Sequence, residues 1–157
     1  MRYTLLYYIG VLLLLLGLIT ACDTQTVYVH YEHTPVTGWE RNDTLRFQIG
    51  ALSQTADYAE EVGLRINSDY PFTMLQLIFE QELLPSHQVR IDTLDCTLVD
   101  QRGNMLGQGV INYQYRFPLA TLPLEEGDRL QIVVRHNMKR EILPGISDVG
   151  IRLTRQH

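Results

Sequence analysis

The sequence predicts an all-β fold: a single antiparallel β-sandwich, jelly-roll-like, of roughly eight strands behind a cleavable N-terminal segment. Three observations predict it. Apolar residues recur with period two in short runs along the chain after residue 26, as strands with one buried face require. Turn-forming clusters such as Asp100-Gln101-Arg102-Gly103-Asn104 and Glu125-Glu126-Gly127-Asp128 separate the runs at near-regular intervals. No long helical pattern alternates with the runs, which argues against a βαβ fold.

The first element is not part of the sandwich. Met1-Arg2 supplies a short positive start, and Leu5 to Ile19 is an almost unbroken apolar run of 15 residues. A membrane-spanning helix needs roughly 20 apolar residues, whereas the apolar core of a cleaved secretory signal has roughly 7–15. The shorter class fits. Ile19-Thr20-Ala21-Cys22 follows directly and resembles the lipobox of bacterial lipoproteins: an aliphatic residue, two small residues, then the cysteine that receives diacylglycerol. Small residues let the peptidase approach the backbone, and only a thiol forms the thioether. Residues 1–21 therefore read as a lipoprotein signal peptide, Cys22 as the lipidation site, 22–26 as a short polar tether and 27–157 as the β-sandwich domain. Each buried CH₂ of an acyl chain contributes about 0.8 kcal/mol, so a multiply acylated cysteine is a permanent anchor.

Along the domain, Val27, Val29 and Tyr31 alternate with Tyr28 and His30. Leu45, Phe47 and Ile49 alternate with Arg46 and Gln48, and Val62, Leu64 and Ile66 with Gly63 and Arg65. Met74 to Leu84 also fits a helical face through Leu75, Ile78 and Phe79, but its shortness between Pro71 and Pro85 favours a strand buried on both faces. Leu94, Cys96 and Leu98 form the next row, which places the Cys96 thiol in the core as a small hydrophobe. Ile111, Tyr113, Tyr115 and Phe117 follow, then Leu130, Ile132 and Val134, and finally Val149, Ile151 and Leu153.

Charge narrows the partners. Loss of residues 1–21 removes one of the 13 basic side chains, Arg2, leaving 12 Lys+Arg against 18 Asp+Glu, a net charge of −6. A mildly acidic surface without a basic stripe argues against nucleic acid or anionic lipid as the partner, so the membrane contact is expected through the lipid on Cys22 alone. With Cys22 acylated, Cys96 has no intramolecular partner, and the domain must be held by its core rather than by a disulfide.

No residue pattern assembles chemistry. His30, Glu32 and His33 are the nearest approach to a metal cluster, but on a strand His33 points away from the other two and no third ligand is identifiable. Ser53, Ser68, Ser86 and Ser147 sit near loops without an adjacent base. Glu60-Glu61 and Glu125-Glu126 read as solvated turns or strand ends, and Asp92 and Asp95 fall on opposite strand faces, which spoils a paired acid and base. Trp39, Tyr70, Phe72, Tyr113 and Tyr115 could supply an aromatic sugar platform, although Tyr113 and Tyr115 share an alternating apolar row with Ile111 and Phe117 and read better as core. Asp43-Thr44-Leu45 and Asp92-Thr93-Leu94 resemble the Asp-Thr-aliphatic O-glycosylation signal of Bacteroidetes envelope proteins, which makes Thr44 and Thr93 candidate glycosylation sites.

Several stretches read together in order: Tyr28 to Pro35, Gly38-Trp39, Asp43-Thr44, Asn67-Ser68-Asp69-Tyr70-Pro71-Phe72, Asp92-Thr93-Leu94-Asp95-Cys96-Thr97-Leu98, and Leu143-Pro144-Gly145-Ile146-Ser147-Asp148-Val149-Gly150-Ile151. In that order and spacing the chain resembles the gliding-motility lipoprotein H family (GldH-like lipoproteins) of the Bacteroidetes. The resemblance implies a lipid-anchored envelope protein associated with gliding motility and its linked protein secretion machinery, with protein partners in that apparatus. It carries over one position, the lipidated cysteine, here Cys22, and no catalytic residue. Outward-facing lipoproteins of that phylum often carry several acids after the cysteine. The single acid in Asp23-Thr24-Gln25-Thr26 favours the periplasmic side and leaves the choice of membrane open. The expected function is thus a non-enzymatic accessory or scaffold without metal or cofactor. The alternative is an envelope glycan-binding β-sandwich module.

Overall fold

The computed structural model describes residues 25–156. Residues 1–21 and Cys22 lie outside them. Among the described residues the chain forms ten strands: β1 (Thr26–His33), β2 (Trp39–Glu40), β3 (Leu45–Ile49), β4 (Ala56–Asn67), β5 (Met74–Leu84), β6 (Gln88–Thr97), β7 (Asn112–Leu124), β8 (Arg129–His136), β9 (Ile142–Leu143) and β10 (Ile146–Arg155). Eight are long, as the sequence predicts. The two extra strands, β2 and β9, are two residues each, too short for any alternation to reveal them.

Two four-stranded sheets, ordered β1-β10-β4-β7 and β3-β8-β5-β6, pack face to face, and every pairing is antiparallel. The inner rows interleave into one core: Tyr58, Val62, Leu64, Ile66, Val149, Ile151 and Leu153 from the first sheet meet Phe47, Leu75, Leu77, Phe79, Ile132 and Val134 from the second. Burial of this apolar area is the main force holding the fold together. The β2-β9 ribbon closes one end, where Trp39 pairs with Leu143 and both are fully buried. The Trp39 indole N–H donates to Asp43 O at 3.1 Å, which satisfies its one buried polar atom.

Four expectations need correction. β5 is a strand, but one face only is buried: Leu75, Leu77, Phe79 and Gln81 point inward, while Met74, Ile78 and Glu80 lie on the outer face, which no layer of the described residues covers. In β1 the valines turn outward, with Val27 and Val29 exposed, and it is Tyr28 and His30 that face the other sheet. The cause is the floor beneath Tyr31, whose ring lies over Gly150 and Gly63 of the two neighbouring strands; a Cβ at either glycine would come within 2.6 or 2.8 Å of ring carbons. Ile111 does not belong to the aromatic row of β7, which begins at Asn112; it sits on the preceding excursion and is 69% exposed. The pair Glu60-Glu61 is neither turn nor strand end but lies mid-β4, opposite an irregularity in β7.

Strand direction sorts the loops to two ends. Gln25, the last described residue Gln156, and loops 50–55, 85–87 and 125–128 occupy one end. Loops 34–44, 68–73, 98–111 and 137–145 occupy the other, roughly 30 Å away along the ten residues of β10.

Candidate functional site

The inner faces of β4 and β5 bring two polar side chains together in the core, with the exposed Arg90 and the partly buried Asp92 of β6 beside them. Glu60 of β4 is 1% exposed and Gln81 of β5 is 3% exposed. Across the gap between the sheets the Gln81 amide N–H donates to Glu60 Oε2 at 2.9 Å. Arg90 of β6, register partner of Gln81, holds Asp92 through contacts of 2.7 and 3.0 Å. The Arg90 charge also reaches Glu60, where it favours the ionised carboxylate. Glu60 Oε1 and Gln81 Oε1 are buried without a hydrogen-bond donor. Burial, opposed by the Gln81 hydrogen bond and reinforced by the nearby Asp92 charge, pushes the Glu60 carboxyl up to about 7.

Beside this centre a groove of about 230 Å³ opens between β6 and β7. Leu83, Leu122, Leu124 and Leu130 give it apolar walls, and Gln81 and Arg90 reach its lining. The sequence reading missed the centre, yet a signal was present. Glu60 is in phase with Tyr58, Val62 and Leu64; Gln81 is in phase with Leu77, Phe79 and Leu83; Arg90 and Asp92 are in phase with Leu94 and Cys96. Polar residues in the buried phase of neighbouring strands mark a polar core site.

The predicted candidates are dispersed. His30 Nε2 lies 2.9 Å from Glu32 Oε1, with its ring edge-on to Phe47 at 6.2 Å. His33 instead meets the buried carboxylate of Asp148, which also receives Arg65 at 3.6 Å. Arg65 in turn stacks on Tyr31 at 4.4 Å. Among the described residues no three His, Cys, Asp or Glu side chains are grouped to hold a metal ion. Asp92 faces inward to Arg90 while Asp95 faces outward to the Gln76 amide at 2.6 Å, the divergence that strand alternation predicts. Cys96 is fully buried, and burial pushes its thiol up to about 12, so it stays protonated.

The aromatics do not form an exposed platform. Trp39 and Tyr115 are buried, Tyr70 and Tyr113 are half-buried, and Tyr70 packs edge-on to Phe72 at 5.6 Å. Thr44, in the turn before β3, and Thr93, on the outer face of β6, are both exposed. A different surface stands out at the end remote from Gln25. Val36, Leu106, Val110 and Ile111 are exposed there, with Val110 at 85%, and Phe72, Met74, Met105 and Ile142 lie at the same end.

Fold and site thus define a jelly-roll β-sandwich with a polar core centre, a side groove and an apolar loop end. The chain belongs to the GldH lipoprotein family, whose model matches residues 26–153. It is 27% identical over 151 residues to the gliding motility lipoprotein GldH of Flavobacterium johnsoniae, covering 92% of this chain and 94% of that one. It is 26% identical over 145 residues to the gliding motility lipoprotein GldH homolog of Christiangramia forsetii, covering 87% and 88%. Among solved structures it is similar to part of a family GH115 4-O-methyl-α-glucuronidase, with a TM-score of 0.50 and 15% identity over 87% of this chain but 18% of that enzyme. That likeness concerns the fold.

Proposed function

We propose that this protein is a lipid-anchored envelope lipoprotein that serves gliding motility and its linked protein secretion machinery as a non-enzymatic accessory or scaffold. In this reading residues 1–21 are removed as a signal peptide, Cys22 carries the diacylglycerol, and the domain faces the periplasm. Membership of the GldH lipoprotein family and the names of two relatives matched over most of their length support it. The observation that carries the scaffold role is the placement of exposed aliphatic side chains. Most of them, Leu106, Val110 and Ile111 included, collect at the end opposite Gln25, which is three residues from Cys22 and so within roughly 10 Å of chain from the lipid, while Val27, Val29, Val89 and Ile91 are exposed on β1 and β6. Side chains such as Val110 and Ile111, held away from the anchoring bilayer, suit contact with a protein partner rather than with that bilayer.

The test has two arms. In cells labelled with a fatty acid, wild-type protein should carry label and Cys22→Ala should not, accumulating as uncleaved precursor. Deletion of the gene should impair gliding or cargo secretion where the organism has that apparatus, and Cys22→Ala should reproduce the defect. Equal labelling of the two forms, or a deletion without effect in a gliding cell, would overturn the proposal.

A further inference from the structure

The two large sheets end in four edge strands, β1 and β7 in one and β3 and β6 in the other. An unpaired edge is a template for pairing with another chain, and three of the four carry features that blunt it. β7 contains Pro118 and Pro123, β1 has a register shift between Thr26 and Tyr28, and β3 is only five residues long. β6 is ten residues long, without proline, glycine or a register shift against β5. Its peptide groups alternate between β5 and the outside. The Leu98 N–H donates to Thr73 O at 2.9 Å, which turns the even-numbered residues toward β5, so the N–H and C=O of Val89, Ile91 and Thr93 point outward. None of these groups has a backbone partner among the described residues. The side chains at this edge are apolar as well, with Val89 58% and Ile91 63% exposed.

The order of side chains specifies the partner. Arg90 and Asp92 flank Ile91, so a second β6 laid antiparallel with Ile91 facing Ile91 brings each Arg90 opposite the other copy's Asp92. Centring the pair on Val89 or Thr93 instead removes the match, because Arg90 then faces Gln88 or Cys96. Opposite charges across a strand pair stabilise it and like charges destabilise it. We propose that β6 is a self-association edge, where two copies of this chain pair about a two-fold axis through Ile91 and join their four-stranded sheets into one continuous sheet. The pairing runs from Gln88 to Leu94, with about six backbone hydrogen bonds from the Ile91–Ile91 and Val89–Thr93 pairs. Each Asp92 carboxylate, held by its own Arg90 at 2.7 and 3.0 Å, gains a second guanidinium. Such an interface is self-complementary and closed, so association stops at the dimer. The axis stands perpendicular to the sheets, so β1 of both copies lies on the same side of the assembly and both tethers can enter one bilayer.

The test uses the full lipoprotein in its own envelope, with single introduced cysteines and a mild oxidant, and with wild type as the blank because its Cys96 is buried. The Cα atoms of a hydrogen-bonded antiparallel pair lie about 5.5 Å apart, within the roughly 4.4–6.8 Å that a disulfide spans. Ile91→Cys should therefore link into a species of twice the mass. Asp95→Cys, roughly 27 Å from its symmetry mate, should not. Val89→Cys and Thr93→Cys, each roughly 14 Å from its own mate, should stay monomeric alone and link to each other when co-expressed. Arg90→Asp in the Ile91→Cys background sets like charges face to face and should lower the linked fraction about tenfold. Arg90→Asp combined with Asp92→Arg should restore it, a melt of each variant establishing that it folds. An Ile91→Cys protein that stays monomeric or links only to a different protein, equal linkage at Asp95→Cys, or a folded charge-swapped variant that does not recover would overturn the proposal.

Discussion

The Gln81 side chain donates an N–H to the Glu60 carboxylate at 2.9 Å, joining the two sheets through a polar bond inside a leucine- and aromatic-filled core. The bond is single and Glu60 Oε1 stays unpaired, so burial is incompletely offset and the carboxyl rises from 4.5 to about 7. A carboxyl with a folded-state pKa above its unfolded value binds its proton more tightly in the fold. Its contribution to stability is full below pH 4.5 and is lost as pH rises through about 7. Unfolding of segment 24–157 by denaturant, measured between pH 4.5 and 8, should show a loss of roughly 3 kcal/mol from this group. Glu60→Gln should flatten that slope and be the more stable form at pH 8. An unchanged slope in Glu60→Gln would show that Glu60 is not its source.

The opposite dependence belongs to His136. It is buried beside Trp39, and burial lowers its pKa below the ordinary histidine value. Its contribution to stability is present above about pH 6.5 and lost as the pH falls, because the unfolded chain takes up the proton more readily. His136→Phe should keep the edge-on contact with Trp39 and remove the acid-side loss. Chemical shifts of the imidazole carbons, followed down to acid unfolding, should show no protonation near pH 6.5.

Tyr31 and Gly150 form a second interlocked pair. The Tyr31 ring occupies the space a Cβ at Gly150 or Gly63 would take, and Arg65 covers the ring at 4.4 Å. Gly150→Ala should cost roughly 1–3 kcal/mol by displacing the ring. In a Tyr31→Ala background the same change should cost less, giving a coupling of about 0.5–3 kcal/mol in a double-mutant cycle. Additive effects would mean that the ring does not sit on the glycines.

Most of the strands were legible because nearly every long strand carries at least three in-phase apolar residues, as in Leu45-Phe47-Ile49 or Val149-Ile151-Leu153, and a one-sided core imposes that pattern. What period two does not reveal is which of two mixed faces turns inward. In β1 both faces carry bulky groups, and the two glycines on neighbouring strands decide the matter by accepting Tyr31 outside. The polar centre was hidden for a related reason. Glu60 next to Glu61 looks like a solvated pair until the phase of Tyr58 and Val62 is applied to it, and the partner Gln81 lies 21 positions away on the other sheet. Thr44 and Thr93 are exposed, so both stay available to the glycosylation proposed for them. An intact mass of the purified protein equal to polypeptide plus lipid alone would refute that modification.

The final strand gives a prediction about folding itself. β10 lies between β1 and β4, pairing with both, and buries Val149, Ile151 and Leu153 almost completely. Removing residues 149–157 deletes three core aliphatics at roughly 2–4 kcal/mol each and leaves β1 without a neighbour in its sheet. A typical domain has about 5–15 kcal/mol of stability in total. The truncated chain should therefore lose its cooperative thermal transition, and a melt near the full-length temperature would contradict the sheet order.

The apolar loop end separates a placed scaffold from an enzyme in one comparison. Leu106, Val110 and Ile111 are exposed, so replacing all three with serine removes little buried surface and should alter stability by less than about 1 kcal/mol. If these side chains touch a partner of the gliding or secretion apparatus, the triple variant should be folded, lipidated and present at wild-type level yet fail in the cellular assay. His30→Ala and His33→Ala, which disturb the most plausible metal-ligating residues and leave the loops intact, should keep function. The readouts are spreading of colonies and secreted cargo in the culture medium, scored beside the gene deletion. A triple-serine protein that behaves as wild type, together with a histidine variant that behaves as the deletion, would move the activity from the loop end to the β1 side chains and make the protein a chemical rather than a structural component.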